Sequence, residues 1–291
     1  MKIENANQRV RMRIGVFFAD ADRNPEEVIP TAQEAERRGF DSLWVPDHVL
    51  KVFGPLPDPL TLLSFLAGGT GRIGLGTAVL VLPYRHPVIL ANEASSLDVL
   101  SGGRLTLGVG VGWNEREFVA LGMTKNERGR RTDEGLEVLE KLWSGRRTSY
   151  EGRFYSFENA EIGIRPLTPG GPPVLVGGYS TAAFRRTLRF GAGWMGFKDD
   201  PDQISQVRKR LDLIGEEQGQ DPARLEIGTT LNVKQANANR AADTLARLSE
   251  AGATFCALSL PATNPEALAW AAEEIVPGAG LQLSPDRGEA E

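Results

Sequence analysis

The sequence predicts a (β/α)8 barrel, an α/β fold in which eight parallel strands each lead into a helix. Short strand-like runs alternate with amphipathic helical stretches eight times along the chain. The runs are apolar throughout, which is typical of parallel strands that are buried on both faces. Eight such units also fit a chain of 291 residues, because this is close to the usual size of the fold. An open, doubly wound sheet is the alternative, and it requires a reversal of strand order that sequence alone does not show.

Apolar runs and turn residues predict the position of each element. Proline opens several helices and Gly39 follows the first one, since proline suits the first helical turn and glycine suits the residue after the last. The predicted strands span residues 13–19, 42–46, 73–82, 105–111, 173–176, 194–197, 225–233 and 255–260. The predicted helices span residues 25–38, 59–66, 87–100, 116–121, 131–143, 181–190, 201–217, 240–250 and 265–275.

Two segments interrupt the alternation and predict insertions after the second and fourth strands. Residues 49–58 form a proline-rich loop, and residues 148–166 have the pattern of a hairpin. Such insertions build lids and substrate walls in some barrels and are plain surface features in others. The barrel is predicted as a single domain over residues 13–277, between an N-terminal tail (1–12) and a flexible C-terminal tail (278–291).

The composition limits the partners and the setting of the protein. With 38 acidic and 33 basic residues the formal net charge is −5, which gives no basic surface for nucleic acid or anionic lipid. Residues 1–12 lack the apolar core of a signal peptide, and no apolar run is long enough to span a bilayer. The single cysteine, Cys256, excludes an internal disulfide, and no Cys/His spacing suggests a metal site. We therefore expect a cytoplasmic protein that binds neither nucleic acid, membrane nor metal.

Residues that follow each strand are the candidates for an active site, because barrel enzymes place their chemistry at the C-terminal ends of the strands. Asp47 and His48 follow the second predicted strand. An imidazole there is able to act as a general acid or base near neutral pH, or to hydrogen-bond a ligand. The alternative is a loop histidine held by a backbone carbonyl. His86 precedes a helix-opening proline and is expected to be structural.

Two glycine-rich segments follow the fourth and fifth predicted strands. The alternating glycines of residues 108–112 let the backbone approach a flat ligand, but glycines also relieve crowding inside a barrel, and both explanations stay open. Gly177 and Gly178 lead to Ser180 at a helix start, where free N–H groups and a hydroxyl suit a phosphate. The sequence has no GxSxG, Walker A or HExxH motif, which argues against hydrolases of those classes.

Five long segments occur in the order of a known family. They are DSLWVPDHV at 41–49, RIGLGTAVLVLPYRHPV at 72–88, SLDVLSGGRLTLGVGVGWNEREFVALG at 96–122, ENAEIGIRPLTPGGPPVLVGGYS at 158–180 and FGAGWM at 190–195. In these segments the chain resembles the luciferase-like monooxygenase superfamily, over about residues 14–277. It is most similar to the branch of probable oxidoreductases that use coenzyme F420, an 8-hydroxy-5-deazaflavin.

The resemblance implies a luciferase-like TIM barrel whose mouth holds the cofactor ring. It implies Asp47 and His48 as catalytic residues beside the ring, and a cis peptide between Ala78 and Val79 beneath it. The residues that it implies for cofactor binding are Ala78, Val79, Gly112, Asn114, Gly177, Gly178 and Ser180, the last three at a phosphate. It implies no metal.

The chain departs from the sugar-phosphate dehydrogenase of this family at two positions. The dehydrogenase has a tryptophan shortly after the Asp-His pair, where this chain has residues 49–53, and a glutamate after the glycine-rich strand, where this chain has Trp113. Glucose 6-phosphate is therefore not implied as the substrate. Glu115 is a candidate for the missing carboxylate.

Three functions follow from the resemblance. The first is hydride transfer between coenzyme F420 and an unidentified small organic substrate, with His48 moving the coupled proton. The second is an FMN-dependent monooxygenase that uses O2 and flavin reduced by a partner enzyme. The third is a barrel that binds a flavin or deazaflavin without catalysis. A homodimer is also expected, because relatives associate through barrel helices.

Overall fold

Hydrogen bonding between parallel strands closes a ring in the computed structural model, which describes residues 11–18, 25–52, 54, 56–233 and 237–284. The strands are β1 Arg13–Phe17, β2 Ser42–Val45, β3 Gly74–Thr77, β4 Leu80–Val81, β5 Leu105–Gly110, β6 Thr148–Glu151, β7 Ser156–Ala160, β8 Val174–Gly177, β9 Gly193–Met195, β10 Glu226–Asn232 and β11 Phe255–Ser259. The main sheet has the order β3-β2-β1-β11-β10-β9-β8-β5-β4, and pairing of β3 with β5 closes it. The predicted barrel is confirmed, and the open-sheet alternative is wrong.

Helices cover the outside of the barrel. They are α1 Pro25–Arg37, α2 Pro59–Gly69, α3 Pro87–Leu100, α4 Glu115–Ala120, α5 Arg128–Trp143, α6 Thr181–Phe190, α7 Pro201–Gln218, α8 Ala238–Glu250, α9 Pro265–Trp270 and α10 Val276–Gly278. A π-helical turn, Ala271–Ile275, joins α9 to α10. Both α3 and α6 have the predicted bounds. Within the described part of the chain, no helix has the length and apolar character needed to cross a membrane.

The third barrel strand, predicted as one element over residues 73–82, is divided into β3 and β4. The peptide bond between Ala78 and Val79 is cis, as the family resemblance implied. Both halves pair with β5, since Leu75 lies opposite Leu105 and Leu80 lies opposite Val109. The break therefore displaces the chain locally without removing it from the barrel wall.

Side chains that alternate along the strands form two separate cores. The larger core lies between strands and helices and receives, for example, Ile14, Val16 and Leu43. The smaller one, called the interior cluster here, fills the barrel and consists of Trp44, Ala78, Leu175, Met195, Phe255 and Ala257. Trp44 stacks on Phe255 with ring centroids 5.0 Å apart. Phe17 and Val79 pack on this cluster where their strands end, and with Ala78 they form the floor of the mouth.

Glycines around the interior make room for the side chain of Val79. A Cβ on Gly110 would lie 2.6 Å from Cγ2 of Val79, and a Cβ on Gly177 would lie 3.2 Å from its Cγ1. A Cβ on Gly108 would collide with the carbonyl oxygen of Thr77. Relief of crowding, one of the two explanations for the alternating glycines, is therefore correct for Gly108 and Gly110.

The hairpin predicted before the fifth barrel strand is present as β6 and β7. Glu134 of α5 accepts hydrogen bonds from the backbone N–H groups of Arg153 (3.1 Å) and Phe154 (2.9 Å). The hydroxyl of Tyr150 donates to Glu137 of the same helix at 2.7 Å. These contacts fasten the hairpin to the flank of the barrel at α5.

The described part of the predicted C-terminal tail contacts the barrel. Leu281 and Leu283 pack against the larger core. The backbone N–H of Ser284 donates to the carbonyl of Gly39 at 3.0 Å, and its hydroxyl donates to Asp41 at 2.7 Å. Residues 285–291, like residues 1–10 of the predicted N-terminal tail, lie outside the described residues.

Replacing Gly110 by Ala should lower the free energy of unfolding by about 1–3 kcal/mol, because the added methyl group meets the stiff side chain of Val79. Gly68→Ala in α2 is the matched control, since nothing lies within 4 Å of a Cβ there and alanine favours a helix. Urea unfolding followed by circular dichroism measures both changes. Equal stability of Gly110→Ala and the wild type would show that Val79 does not pack closely at this point.

Candidate active site

One buried carboxylate holds the loop that follows β2. Glu117, the third residue of α4, accepts hydrogen bonds from the backbone N–H groups of Val49 (2.8 Å) and Leu50 (3.1 Å). One of its oxygens also lies 3.1 Å from Nδ1 of His48. These bonds fix the start of the loop, and with it the imidazole at the mouth of the barrel.

The charge on Glu117 decides which nitrogen of His48 carries a proton. Burial opposes ionisation of Glu117, but hydrogen bonds from Leu50 and His48 outweigh it, so the pKa of Glu117 lies below its usual value. The carboxylate is therefore ionised at neutral pH and only accepts hydrogen bonds. His48 donates from Nδ1, and the neutral ring has Nε2 as its basic atom.

Tyr84, in the short helical turn after β4, is a further donor to the same carboxylate. Its hydroxyl lies 3.2 Å from Oε2 of Glu117. Burial and the charge of Glu117 raise the pKa of Tyr84, so the phenol stays protonated and continues to donate. The ring packs edge-on against Phe118, with centroids 5.0 Å apart. Glu117 thus joins the segments that follow β2 and β4.

Asp47 is buried as well, but its carboxylate is used inside the protein. It accepts two hydrogen bonds from the guanidinium of Arg85, at 2.6 and 3.1 Å, and one from the N–H of Val81 at 2.8 Å. Arg85 also contacts Asp58, 2.6 Å away at the start of α2. These contacts make Asp47 a positioning residue for β4 and for the end of the 49–58 loop, and the catalytic role expected for it stays a prediction.

The residues predicted beside the cofactor lie at the mouth. Gly112 has a φ of +77°, and a Cβ there would lie 2.7 Å from Val81 and 3.0 Å from Phe118, so a side chain does not fit. Asn114 caps α4 by accepting a hydrogen bond from the N–H of Arg116 at 3.2 Å. The side-chain amide of Asn114 is therefore held in place, and its NH2 group is the part able to donate to a ligand.

The segment predicted for phosphate leads from β8 into α6. Gly178 has a φ of +116°, a conformation that favours glycine, and its carbonyl accepts a hydrogen bond from Nε1 of Trp194 at 2.6 Å. Ser180 caps α6 by accepting from the N–H of Ala183 at 3.2 Å. Ser180 is thus an ordinary N-cap of α6. The exposed start of α6 also carries the partial positive charge that favours an anion.

These parts fit a flat ring with a phosphate-bearing side chain. The floor of the mouth is apolar. Glycines border it at Gly112 and Gly177, where a Cβ would contact a neighbouring side chain. His48 follows β2 and the start of α6 follows β8, with two barrel strands between them. A flavin or deazaflavin nucleotide requires an apolar surface, a polar group at the ring edge and an anion site.

The sequence did not single out Glu117 or Arg85, which hold the site together. Glu117 lies three residues after the cap Asn114, the spacing of an ordinary capping box, and this pattern hides its contact with the β2 loop. The carboxylate expected at Glu115 instead forms an exposed ion pair with Lys125 at 3.2 Å. Contacts between separate strands and loops decide these roles, and local patterns do not contain them.

The remaining candidates have structural positions. His86 caps α3 and accepts a hydrogen bond from the N–H of Val88 at 3.3 Å, as expected. Cys256 is buried in the larger core. No cluster of three or more His, Cys, Asp or Glu side chains suited to a metal ion occurs among the residues that the structure describes.

The sequence model of one family, described as luciferase-like monooxygenase, matches residues 12–281. The chain belongs to the luciferase-like monooxygenase family. This luciferase-like chain is 30% identical over 240 residues to an F420-dependent glucose-6-phosphate dehydrogenase of Kineococcus radiotolerans, a match covering 78% of this chain and 70% of that protein. It is 31% identical over 221 residues to an uncharacterized protein of Mycobacterium tuberculosis, covering 69% of this chain and 76% of that protein.

Solved structures share the barrel at lower sequence identity. The coenzyme F420-dependent tetrahydromethanopterin reductase of Methanopyrus kandleri superposes with a TM-score of 0.77 at 17% identity, over 92% of this chain and 99% of that one. The oxygenating constituent of 3,6-diketocamphane monooxygenase of Pseudomonas putida, in complex with FMN, has a TM-score of 0.76 at 17% identity, over 94% and 99%. At these identities the likeness establishes the luciferase-like fold.

Replacing Glu117 by Gln should destabilise the protein by about 1–3 kcal/mol at neutral pH, because charge-assisted hydrogen bonds to the β2 loop become neutral ones. The stabilisation from Glu117 is complete above the usual carboxyl pKa of about 4.3 and is lost as the pH falls through its lowered value in the folded protein. The difference between variant and wild type should therefore shrink in acid. Urea unfolding at several pH values between neutral and acidic measures it.

Glu115→Gln is the matched control on the same helix. Its side chain is 67% exposed and pairs only with Lys125 among the ion pairs of the described residues, so its removal should change stability by less than about 1 kcal/mol. A Glu117→Gln difference that stays constant with pH would contradict an ionised, hydrogen-bonded carboxylate.

Proposed function

We propose that this protein is an oxidoreductase that transfers a hydride between coenzyme F420 and a small organic substrate. The observation that carries the proposal is the His48–Glu117 pair at the edge of an apolar floor, a proton-exchanging group beside a surface suited to a flat ring. Membership of the luciferase-like family supports an enzyme of this class. The F420-dependent relative at 30% identity favours the deazaflavin.

His48 is the residue that moves the proton coupled to hydride transfer, at Nε2. Glu117 accepts from Nδ1, orients the ring and stabilises the positive charge that the imidazole acquires when it takes up a proton. The hydroxyl of Tyr84 donates to the same oxygen, Oε2, and helps to fix the carboxylate. Asp47 acts indirectly, by holding β4 through the N–H of Val81.

The cofactor, when bound, supplies the ring carbon that gives or takes the hydride, and the protein supplies orientation and charge. Ala78 and Val79 would support the ring from the floor. Gly112 and Asn114 would border the cofactor side chain. Gly177, Gly178 and Ser180 at the start of α6 would hold its phosphate.

An FMN-dependent monooxygenase is the second candidate. The FMN complex of the Pseudomonas putida monooxygenase has the same barrel, and the floor and anion segment described above suit FMN equally. This function would need a partner enzyme that reduces the flavin.

A barrel that binds either cofactor without turnover would show binding and no reaction. The expected homodimer and the small organic substrate remain predictions.

Titration of the purified protein with coenzyme F420 and with FMN, each oxidised and reduced, should show preferential binding of F420. Quenching of tryptophan fluorescence reports it, because the chain has 5 tryptophans, of which Trp113 lies beside His48 at the mouth and Trp44 lies in the barrel interior below. Preference for reduced FMN would favour the monooxygenase. Binding of neither would overturn the cofactor assignment.

Replacing His48 by Ala should reduce turnover by about 10²–10⁴-fold, the usual contribution of a general acid or base. Cofactor affinity should change by less than about tenfold, since the phosphate and floor contacts remain. His86→Ala is the matched control: it removes a helix cap and should lower stability by about 0.5–2 kcal/mol without a comparable loss of turnover. Unchanged turnover of His48→Ala would remove His48 from the mechanism.

A further inference from the structure

Large apolar side chains stand exposed around the mouth. Trp113 follows β5 and is 59% exposed, while Val49 after β2 and Phe197 after β9 are each 45% exposed. Exposed apolar side chains that cluster at a cleft mark a surface that a ligand covers. Single exposed apolar residues occur on every protein surface, so their position relative to His48 decides the argument.

Trp113 lies directly beside the proposed catalytic histidine. The indole and imidazole rings meet edge to face, with centroids 5.8 Å apart and planes at 80°. Gly112, where a Cβ would crowd Val81, precedes Trp113, and the ring contact with His48 puts the indole on the mouth side. A group held against this indole is therefore also held within reach of His48.

Phe197 extends the interior face of β9. Met195 belongs to the interior cluster, and side chains alternate along an extended chain, which places Phe197 on the same side two residues later. The chain remains paired past the strand end, since the N–H of Gly196 donates to the carbonyl of Gly228 at 2.9 Å. The N–H of Phe197 is held by the hydroxyl of Tyr179 at 3.1 Å.

The two buried carboxylates at the mouth, those of Asp47 and Glu117, do not offer a polar substrate an acceptor. Asp47 is bound by Arg85 and Val81, and Glu117 by the loop after β2, and both side chains are about 1% exposed. A sugar would require such acceptors for its hydroxyl groups, because each polar group that loses water without a partner weakens binding. The floor beneath is apolar as well.

We propose that the mouth binds an uncharged substrate with a flat or ring-shaped apolar part, which packs against Trp113 and Phe197. It presents its hydroxyl or carbonyl oxygen to His48, which exchanges the proton, and its reacting carbon to the cofactor ring, which exchanges the hydride. This inference rests on the proposed function, because it uses the same mouth and the same histidine. It specifies a substrate class, a hydrophobic alcohol or ketone, in place of a sugar phosphate.

Calorimetric titration with 1-phenylethanol and with glucose 6-phosphate tests the substrate class, using protein with and without the cofactor that binds it. The uncharged aromatic alcohol should bind more tightly than the sugar phosphate. Trp113→Ala should weaken its binding by about tenfold or more, as expected when an aromatic contact is removed. The affinity for the cofactor alone should change by less than about threefold, within the range of a contact that contributes little.

Phe65→Ala is the matched control, since this aromatic side chain on α2 is 54% exposed and lies on an outer helix. It should leave both affinities unchanged. Tighter binding of glucose 6-phosphate, no effect of Trp113→Ala on the alcohol, or a loss of cofactor affinity in Trp113→Ala would overturn the inference. Wild-type protein that binds a cofactor but not the alcohol overturns only the substrate class, whereas failure to bind either cofactor overturns the proposed function.

Discussion

A carboxylate without solvent is stable only where donors replace the lost water, and the donors to Glu117 come from two other segments of the chain. The loop after β2 supplies two amides and the imidazole of His48, and the turn after β4 supplies the hydroxyl of Tyr84. The segments that follow β2 and β4, which are distant in sequence, are thereby both held by the carboxylate of Glu117. Because this buried carboxylate accepts a hydrogen bond from Nδ1 of His48, it orients the imidazole and keeps the proton on Nδ1.

Large side chains fill one part of the barrel interior, and glycines leave room in the other part. Trp44 and Phe255 fill the lower part by stacking, and glycines at Gly108, Gly110 and Gly177 leave the upper part to Val79. The result is an apolar floor at the base of the mouth, formed by Phe17, Ala78 and Val79 above the interior cluster. A packed floor and a hydrogen-bonded histidine are the preorganised parts that the proposed transfer of a hydride and a proton would use.

The fold could be predicted because it depends on repeated local patterns. Apolar runs, with a helix-opening proline in α3 and a Ser/Thr start in α6, predicted the observed bounds of these helices, and the family resemblance implied the cis peptide at Ala78–Val79. The site could be predicted only in part. The place of His48 after a strand predicted its position at the mouth, and the catalytic roles expected for His48 and Asp47 stay predictions. The ion pair of Asp47 with Arg85 and the contact of Glu117 with the β2 loop could not be predicted, because the partners are distant in sequence. Long-range partners decide whether a carboxylate reacts or supports, and sequence spacing does not show them.

The Arg85–Asp58 ion pair has a consequence for how this barrel diversifies. The 49–58 loop is fixed at its start by Glu117, through Val49 and Leu50, and at its end by Arg85, which joins Asp58 to Asp47. Between two anchored ends, insertions and replacements cost little, since the entropy of closing a loop grows slowly with its length. The length and sequence of this segment can therefore change while the anchored ends of β2 and β4, and with them His48, keep their geometry.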